Sequence, residues 1–270
     1  MIPAYFVYRE PESIDELKSL LLLRYSVYRQ SRLKHLAPEN KYMINMDSHD
    51  LNAKHFGLYE HIDGSSRPVG YIRMVTDGAG PWANEIQQIV HSLPELTIES
   101  NTNLAEPLPL MEYVPDIEAL RKLYVGCKRK GEHLVEPGRL SLDHSVRSLG
   151  ISGHVRTSSN MVASTFAAFM VDGVSKAVLT ASLTHKGFYE QFGFTRTPGV
   201  SDWFWEDAGE NRCCLIGSPE SLPEPMKEKV LRMAEAWSNT RRICFHPSAN
   251  EQFFAPTHSY ISSRPALRAA

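Results

Sequence analysis

Leu134-Val-Glu136-Pro-Gly-Arg139-Leu-Ser-Leu142 reads as a β-strand with proline and glycine at its middle. Proline cannot donate to a ladder, so a regular central strand excludes it and a bulge is the natural solution. In a regular strand, residues three apart point to opposite faces. A bulge at Pro137-Gly138 re-phases the strand and turns Glu136 and Arg139 toward one side. The chain continues through a polar loop, Asp143 to Gly153, containing Arg147-Ser-Leu-Gly150-Ile-Ser152-Gly153, into an apolar helix expected over 155–171. A glycine-containing turn at a helix N-terminus presents backbone N–H groups to anions, including the phosphates of a carrier.

Outward from this unit, the same signals punctuate the rest of the chain. Ala4 to Tyr8 has strand character. Ser13-Ile-Asp-Glu16 has the form of a capping box, and Ile14, Leu17, Leu21, Tyr25 and Tyr28 recur at helical spacing, predicting a helix from Ile14 to about Arg32. Residues 33–54 lack periodicity and read as a long loop carrying Asp47, His49 and Asp50. Strands are expected at His55–Ile62 and Val69–Thr76, helices at Asn84–Ser92 and Asp116–Cys127, and an irregular segment over 93–114. Further on come a strand at Ser175–Ala181, a helix at His185–Phe192 capped by Thr184 and closed by Gly193, strands near 194–197, 202–205 and 212–216, and a helix over 224–238. Hairpins mixed with βα units predict an α/β fold: one mixed, twisted sheet with helices on both faces, in a single domain over 1–240 with a peripheral tail over 241–270.

The 270 residues hold 29 Lys+Arg against 31 Asp+Glu, a net charge of -2, which argues against holding nucleic acid by bulk electrostatics. The first residues show no secretory signal, and no apolar run approaches the length of a membrane span. Cys127, Cys213, Cys214 and Cys244 form no CxxC pair, so reduced thiols and a cytoplasmic setting are expected.

Together with Gly187-Phe-Tyr-Glu-Gln-Phe-Gly-Phe194, the bulged strand and its loop resemble the GNAT superfamily of acyltransferases. Leu23-Arg24-Tyr-Ser-Val-Tyr28, Asp47-x-x-Asp50, Arg73 and Glu136-x-x-Arg139 narrow the likeness to a branch. That branch holds the acyl-homoserine-lactone synthases, the long-chain N-acyl amino acid synthases and the exosortase-associated acyltransferases. The resemblance covers roughly residues 5–195 and implies a GNAT-like (acyl-CoA N-acyltransferase) fold. It also implies an acyl-phosphopantetheine thioester as donor, acyl carrier protein or acyl-CoA, with no permanently bound cofactor and no metal. By the same likeness Arg24, Tyr28, Asp47, Asp50 and Arg73 shape the substrate pockets. Leu142, Arg147, Gly150, Ser152 and Gly153 hold the donor, and Glu136, Arg139 and Tyr189 are catalytic. Lactone synthases carry glutamate where this chain has Asn45, and a tryptophan after the helix aromatic where none lies between Tyr28 and Trp82. Both belong to the acceptor side, so an amino acid or another small amine is expected, with an acyl-homoserine-lactone synthase using S-adenosylmethionine as the alternative within the branch.

The expected chemistry is direct attack of the amine on the thioester, since no Ser-His-Asp or Cys-His signature points to an acyl-enzyme. Glu136 is the expected base, Tyr189 the acid for the leaving thiolate, and a backbone N–H near Leu140–Leu142 the oxyanion donor. Arg121, Lys122, Lys128, Arg129 and Lys130 form a candidate docking patch for an acidic carrier protein. Two other classes compete: a metal hydrolase using Asp47, His49, Asp50 and His55, and an acyl-ligand-binding module without catalysis.

Overall fold

Alternating burial along the central strands explains how the chain folds. On β3 (Ser65–Val75), Ile72 and Met74 face one core while Tyr71 and Val75 face the other. A strand apolar on both sides has to be covered on both sides. The computed structural model describes residues 5–93 and 106–246, without the side chains of residues 147 and 148. Within it, β1 (Tyr5–Arg9), β2 (Ala53–Ile62), β3, β4 (Leu134–Leu142), β5 (Lys176–Ser182), β6 (Thr195–Arg196), β7 (Trp203–Trp205), β8 (Glu210–Gly217) and β9 (Arg242–Phe245) form one sheet. Its order is β6-β8-β5-β4-β3-β2-β1-β9, with β7 paired to β8. Every pairing is antiparallel except β4 with β5.

One face is covered by α4 (Gly150–Val171) and α6 (Glu224–Thr240), whose Met161, Phe166, Phe169, Met233 and Trp237 fill the larger core. Gly70 permits the close approach of α4, because a Cβ there would sit 2.7 Å from Met161 Sδ. The other face carries α1 (Ile14–Arg29), α2 (Ala83–Ser92) and α3 (Ile117–Arg129) over smaller clusters. The short α5 (Lys186–Glu190) follows β5. The single mixed sheet with helices on both faces is as expected from the sequence.

Several local expectations shift. Ser13 does cap α1, accepting from Glu16 N at 3.2 Å, but the helix ends at Arg29, short of Arg32. The helix expected from Val155 starts at Gly150, so two glycines assigned to a loop lie in its first turn. Thr184 is not a cap: its hydroxyl bonds Ser182 at 2.8 Å, and α5 opens at Lys186 without a side-chain cap. The stretch expected as a peripheral tail contributes β9, which pairs with β1 at Arg242–Arg9 through Phe245–Phe6. The rest of that tail, from residue 247, and residues 94–105 of the irregular segment lie outside the described residues.

Candidate active site

Two irregularities in β4 open the middle of the sheet. Tyr71 faces Ser141 and Arg73 faces Gly138, so Arg139 and Leu140 together oppose Ile72: a bulge one step later than the Pro137-Gly138 position expected. Arg139 takes φ 59°, the left-handed region, at roughly 1–2 kcal/mol for a residue bearing a Cβ. On its other edge β4 pairs with β5 only at Leu134–Lys176 and Val135–Ala177; beyond Val135 the two strands part. The parting strands leave a gap through the sheet, and the bulge turns Arg139 to the same side as Glu136.

On the α1 side of that gap lies a buried charge network. Arg24 and Asp50, each 0% exposed, make a two-pronged ion pair at 2.8 and 2.7 Å. Arg73 Nη1 donates to Asp50 Oδ1 at 2.7 Å and to Asp47 Oδ1 at 2.5 Å, and Arg139 Nη2 donates to Asp47 Oδ2 at 2.8 Å. The loop holds these acids by its own backbone: Asp47 N donates to Asp50 Oδ2 at 2.8 Å, and Asp47 Oδ1 accepts from His49 N at 3.1 Å, a reciprocal cap on the 3-10 helix Ser48–Asn52. Burial would raise the aspartates, but the arginines win. Asp47 settles at about 2, mainly through Arg73, and Asp50 lies well below the usual range, mainly through Arg24. Asn45 contributes its backbone carbonyl to Arg24 Nη2.

Glu136, 6% exposed, belongs to the same side but not to these pairs; its Oε2 accepts from Leu110 N at 2.8 Å. Burial raises its pKa to about 8, outweighing that hydrogen bond and the attraction of Arg73 and Arg139. Glu136, Asp47, Arg73 and Arg139 line a polar chamber of about 270 Å³ that also holds His49, Glu112, Tyr113, Trp205 and Arg212. Through the gap, on the α4 side, opens a cavity of about 610 Å³ walled by Ile72, Val162, Phe166, Phe169, Leu179 and Phe194. Tyr28, Pro137, Gly138, Arg139, Thr180 and Arg212 line both spaces, so the two meet at the bulge.

No protein-family model matches the sequence, and no curated protein matches it. Solved structures do. FeeM, an N-acyl amino acid synthase from uncultured soil microbes, superposes with a TM-score of 0.50 at 15% identity, covering 80% of this chain and 92% of that one. The chain has the acyl-CoA N-acyltransferase fold. BjaI, a CoA-dependent acyl-homoserine lactone synthase, gives a TM-score of 0.47 at 13% identity over 80% of this chain and 82% of its own. An acyl-CoA N-acyltransferase from Pseudomonas aeruginosa gives 0.41 at 14% identity, over 79% and 98%.

The structure gathers Arg24, Asp47, Asp50, Arg73, Glu136 and Arg139 into one region, with the Tyr28 ring 5.5 Å beneath the Arg139 guanidinium. Tyr189 stands apart, in the apolar cavity against Phe188 and Phe194, its hydroxyl pushed up to about 12 by burial. Of the donor-binding set, Leu142 packs into the core and does not line either space. Gly150, Ser152 and Gly153 form the first turn of α4, which has no side-chain cap on its leading N–H groups; His154, Val155 and Ser158 of the next turn line the apolar cavity. Arg147 sits in the 3-10 helix His144–Leu149, its side chain outside the described residues.

Two of the five residues of the basic cluster on and just after α3 are paired: Arg121 with Glu106 and Glu118, and Lys128 with Asp77. The helix also covers the face opposite α4, away from the apolar cavity. The alternative metal set is engaged elsewhere. Asp47 and Asp50 are filled by arginines, His49 Nε2 bonds Glu112 at 2.6 Å, and His55 bonds Tyr71 at 2.9 Å and Asp50 O at 3.2 Å. Sequence reasoning missed Glu112, Tyr113, Thr180, Trp205 and Arg212. Their available signal was modest: Arg212 and Cys214 alternate with Cys213 on a short strand, in the quarter of the chain where the resemblance gives no guide.

Proposed function

We propose that this chain is an N-acyltransferase that moves a fatty acyl group from a phosphopantetheine thioester, on acyl carrier protein or coenzyme A, to the amine of an amino acid or similar small acceptor. Support comes from one feature: an apolar cavity suited to an acyl chain and a polar chamber suited to an amine meet where β4 bulges away from β5.

In this reading the acceptor enters from the α1 side and the thioester from the α4 side. Ionised Glu136 takes a proton from the ammonium, and its value of about 8 makes it a far stronger base than an exposed carboxylate. The amine nitrogen then forms a bond to the thioester carbonyl carbon. The oxyanion is held by the backbone N–H of Leu140 in the bulge. Collapse breaks the carbon–sulfur bond; Tyr189, on the donor side, gives its proton to the departing thiolate, and the surplus proton on the new amide nitrogen restores the tyrosine through water. The uncapped first turn of α4 receives the donor's phosphates. Arg24, Asp47, Asp50 and Arg73 touch one another more than they touch the chambers, so their role is to hold Arg139 and the loop in place. The test is thiol release from acyl-carrier protein and acyl-CoA across a panel of amino acids. Acceptor-dependent release is expected; release indifferent to the acceptor overturns the proposal.

A further inference from the structure

The polar chamber carries cationic edges that the protein itself leaves unanswered. Arg139 spends Nη2 on Asp47, while its Nη1 is buried without a hydrogen-bond partner. Arg212 projects from β8, 13% exposed at its side chain, with its guanidinium 4.4 Å over the Trp205 ring and its Nε 3.3 Å from Glu210 Oε1. The Glu210 contact is an ion pair without a hydrogen bond, and that Nε is buried with no hydrogen-bond partner. Glu210 is shared, since Arg32 pairs with the same carboxylate. A buried guanidinium edge without an acceptor is costly, so such edges mark places completed by a ligand.

The ion pairing agrees: three arginines, Arg24, Arg73 and Arg139, face two carboxylates, Asp47 and Asp50, and Arg32 and Arg212 share the single carboxylate of Glu210. Glu112 is bonded to His49 Nε2 at 2.6 Å. Arg139, Arg212 and Tyr113 line the same polar chamber. Trp205 keeps the Arg212 guanidinium flat, stacked in turn on Tyr113 at 5.7 Å.

We infer that Arg212, with the free Nη1 of Arg139, binds a carboxylate of the acceptor, so that the C-terminal hairpin β7–β8 selects acceptors bearing a carboxylate beside the amine. This rests on the acyltransferase reading above and adds to it a specificity residue from the part of the chain that the resemblance does not reach. The guanidinium pair fixes the acid end and leaves the amine to turn toward Glu136.

The experiment compares phenylalanine, phenylalaninamide and 2-phenylethylamine as acceptors, with leucine, leucinamide and isoamylamine as a second series, in the thiol-release assay. Calorimetric binding of the same six compounds runs alongside. Wild type is expected to favour each amino acid over its amide and amine by roughly tenfold to a hundredfold in kcat/KM, the worth of hydrogen bonds to a charged group. In Arg212→Gln that ratio collapses toward unity, whatever the absolute rate, and Arg212→Lys restores part of it. Equal loss for all three compounds, or a wild type indifferent to the carboxylate, overturns the inference. If no acceptor releases thiol, the acyltransferase reading fails by itself. Calorimetry then decides this one: carboxylate-dependent binding abolished in Arg212→Gln sustains it, and carboxylate-blind binding or none refutes it. Circular dichroism of both variants separates misfolding from lost recognition.

Discussion

Replacing Glu136 with glutamine is expected to strengthen the fold while removing the activity. The folded chain holds the Glu136 proton up to about pH 8, whereas the unfolded chain releases it near 4.5. Between those values the folded state binds the extra proton, so stability falls as pH rises. At roughly 1.4 kcal/mol per pH unit, the loss is about 3 kcal/mol by pH 7 and about 5 kcal/mol once both states are ionised. Glutamine carries no such penalty, keeps an oxygen for Leu110 N, and sets an N–H where the acid had its O–H. Glu136→Gln should therefore gain about 3 kcal/mol at pH 7, a large share of a typical 5–15 kcal/mol total. At roughly 2–4 °C per kcal/mol for a chain of this size, that is about 6–12 °C in Tm. Urea denaturation of both proteins at pH 5, 7 and 9 reads the difference, which isolates Glu136 because every other titrating group is common to both. The gap should widen with pH, and wild-type kcat/KM should climb toward a plateau above pH 8 that the variant lacks. Parallel stability curves, or a variant weaker at pH 9, would refute the reasoning.

Asp50→Asn leaves Arg24 and Arg73 buried beside a neutral group, and should cost about 3–5 kcal/mol in urea denaturation; a loss under about 1 kcal/mol would mean that the network does not hold the fold. His55, buried against protonation and lowered to about 4, supplies stability above pH 6.5 that disappears on acidification through that window. The Tm of His55→Gln should vary less between pH 6.5 and 4 than that of wild type, and identical profiles would contradict the assignment. Val162→Phe narrows the apolar cavity and should move the preferred donor toward shorter chains across an acyl-CoA series from hexanoyl to palmitoyl. An unchanged preference would place the acyl chain elsewhere.

How much of this was legible in the sequence depended on the range of the forces involved. Pro137 and Gly138 announced a bulge because a missing N–H is a local fact, but Arg139 and Leu140 carry it, a choice made by the register against β3. Gly150 and Gly153 were read as loop because glycine disfavours helix by about 1 kcal/mol; packing of the long α4 overrides that. Arg242-Ile-Cys-Phe245 is too short to show a period, and becomes a strand only because β1 offers an edge. The charged set Arg24, Asp47, Asp50, Arg73, Glu136 and Arg139 could be listed as candidates through resemblance. Their pairing, and the isolation of Glu136 from it, could not, since a pair across tens of residues leaves no periodic trace.

The two residue pairs joining β4 to β5 have a mechanical meaning. They are the hydrogen-bonded seam between two plates, one carrying Glu136 and Arg139, the other Thr180 and Arg212. In the proposed reaction, the distance between acyl group and amine is thus set by a short seam at Leu134, Val135, Lys176 and Ala177, which runs directly into Glu136. Substitutions along that seam would tune the spacing of the two halves without touching a single residue of either chamber.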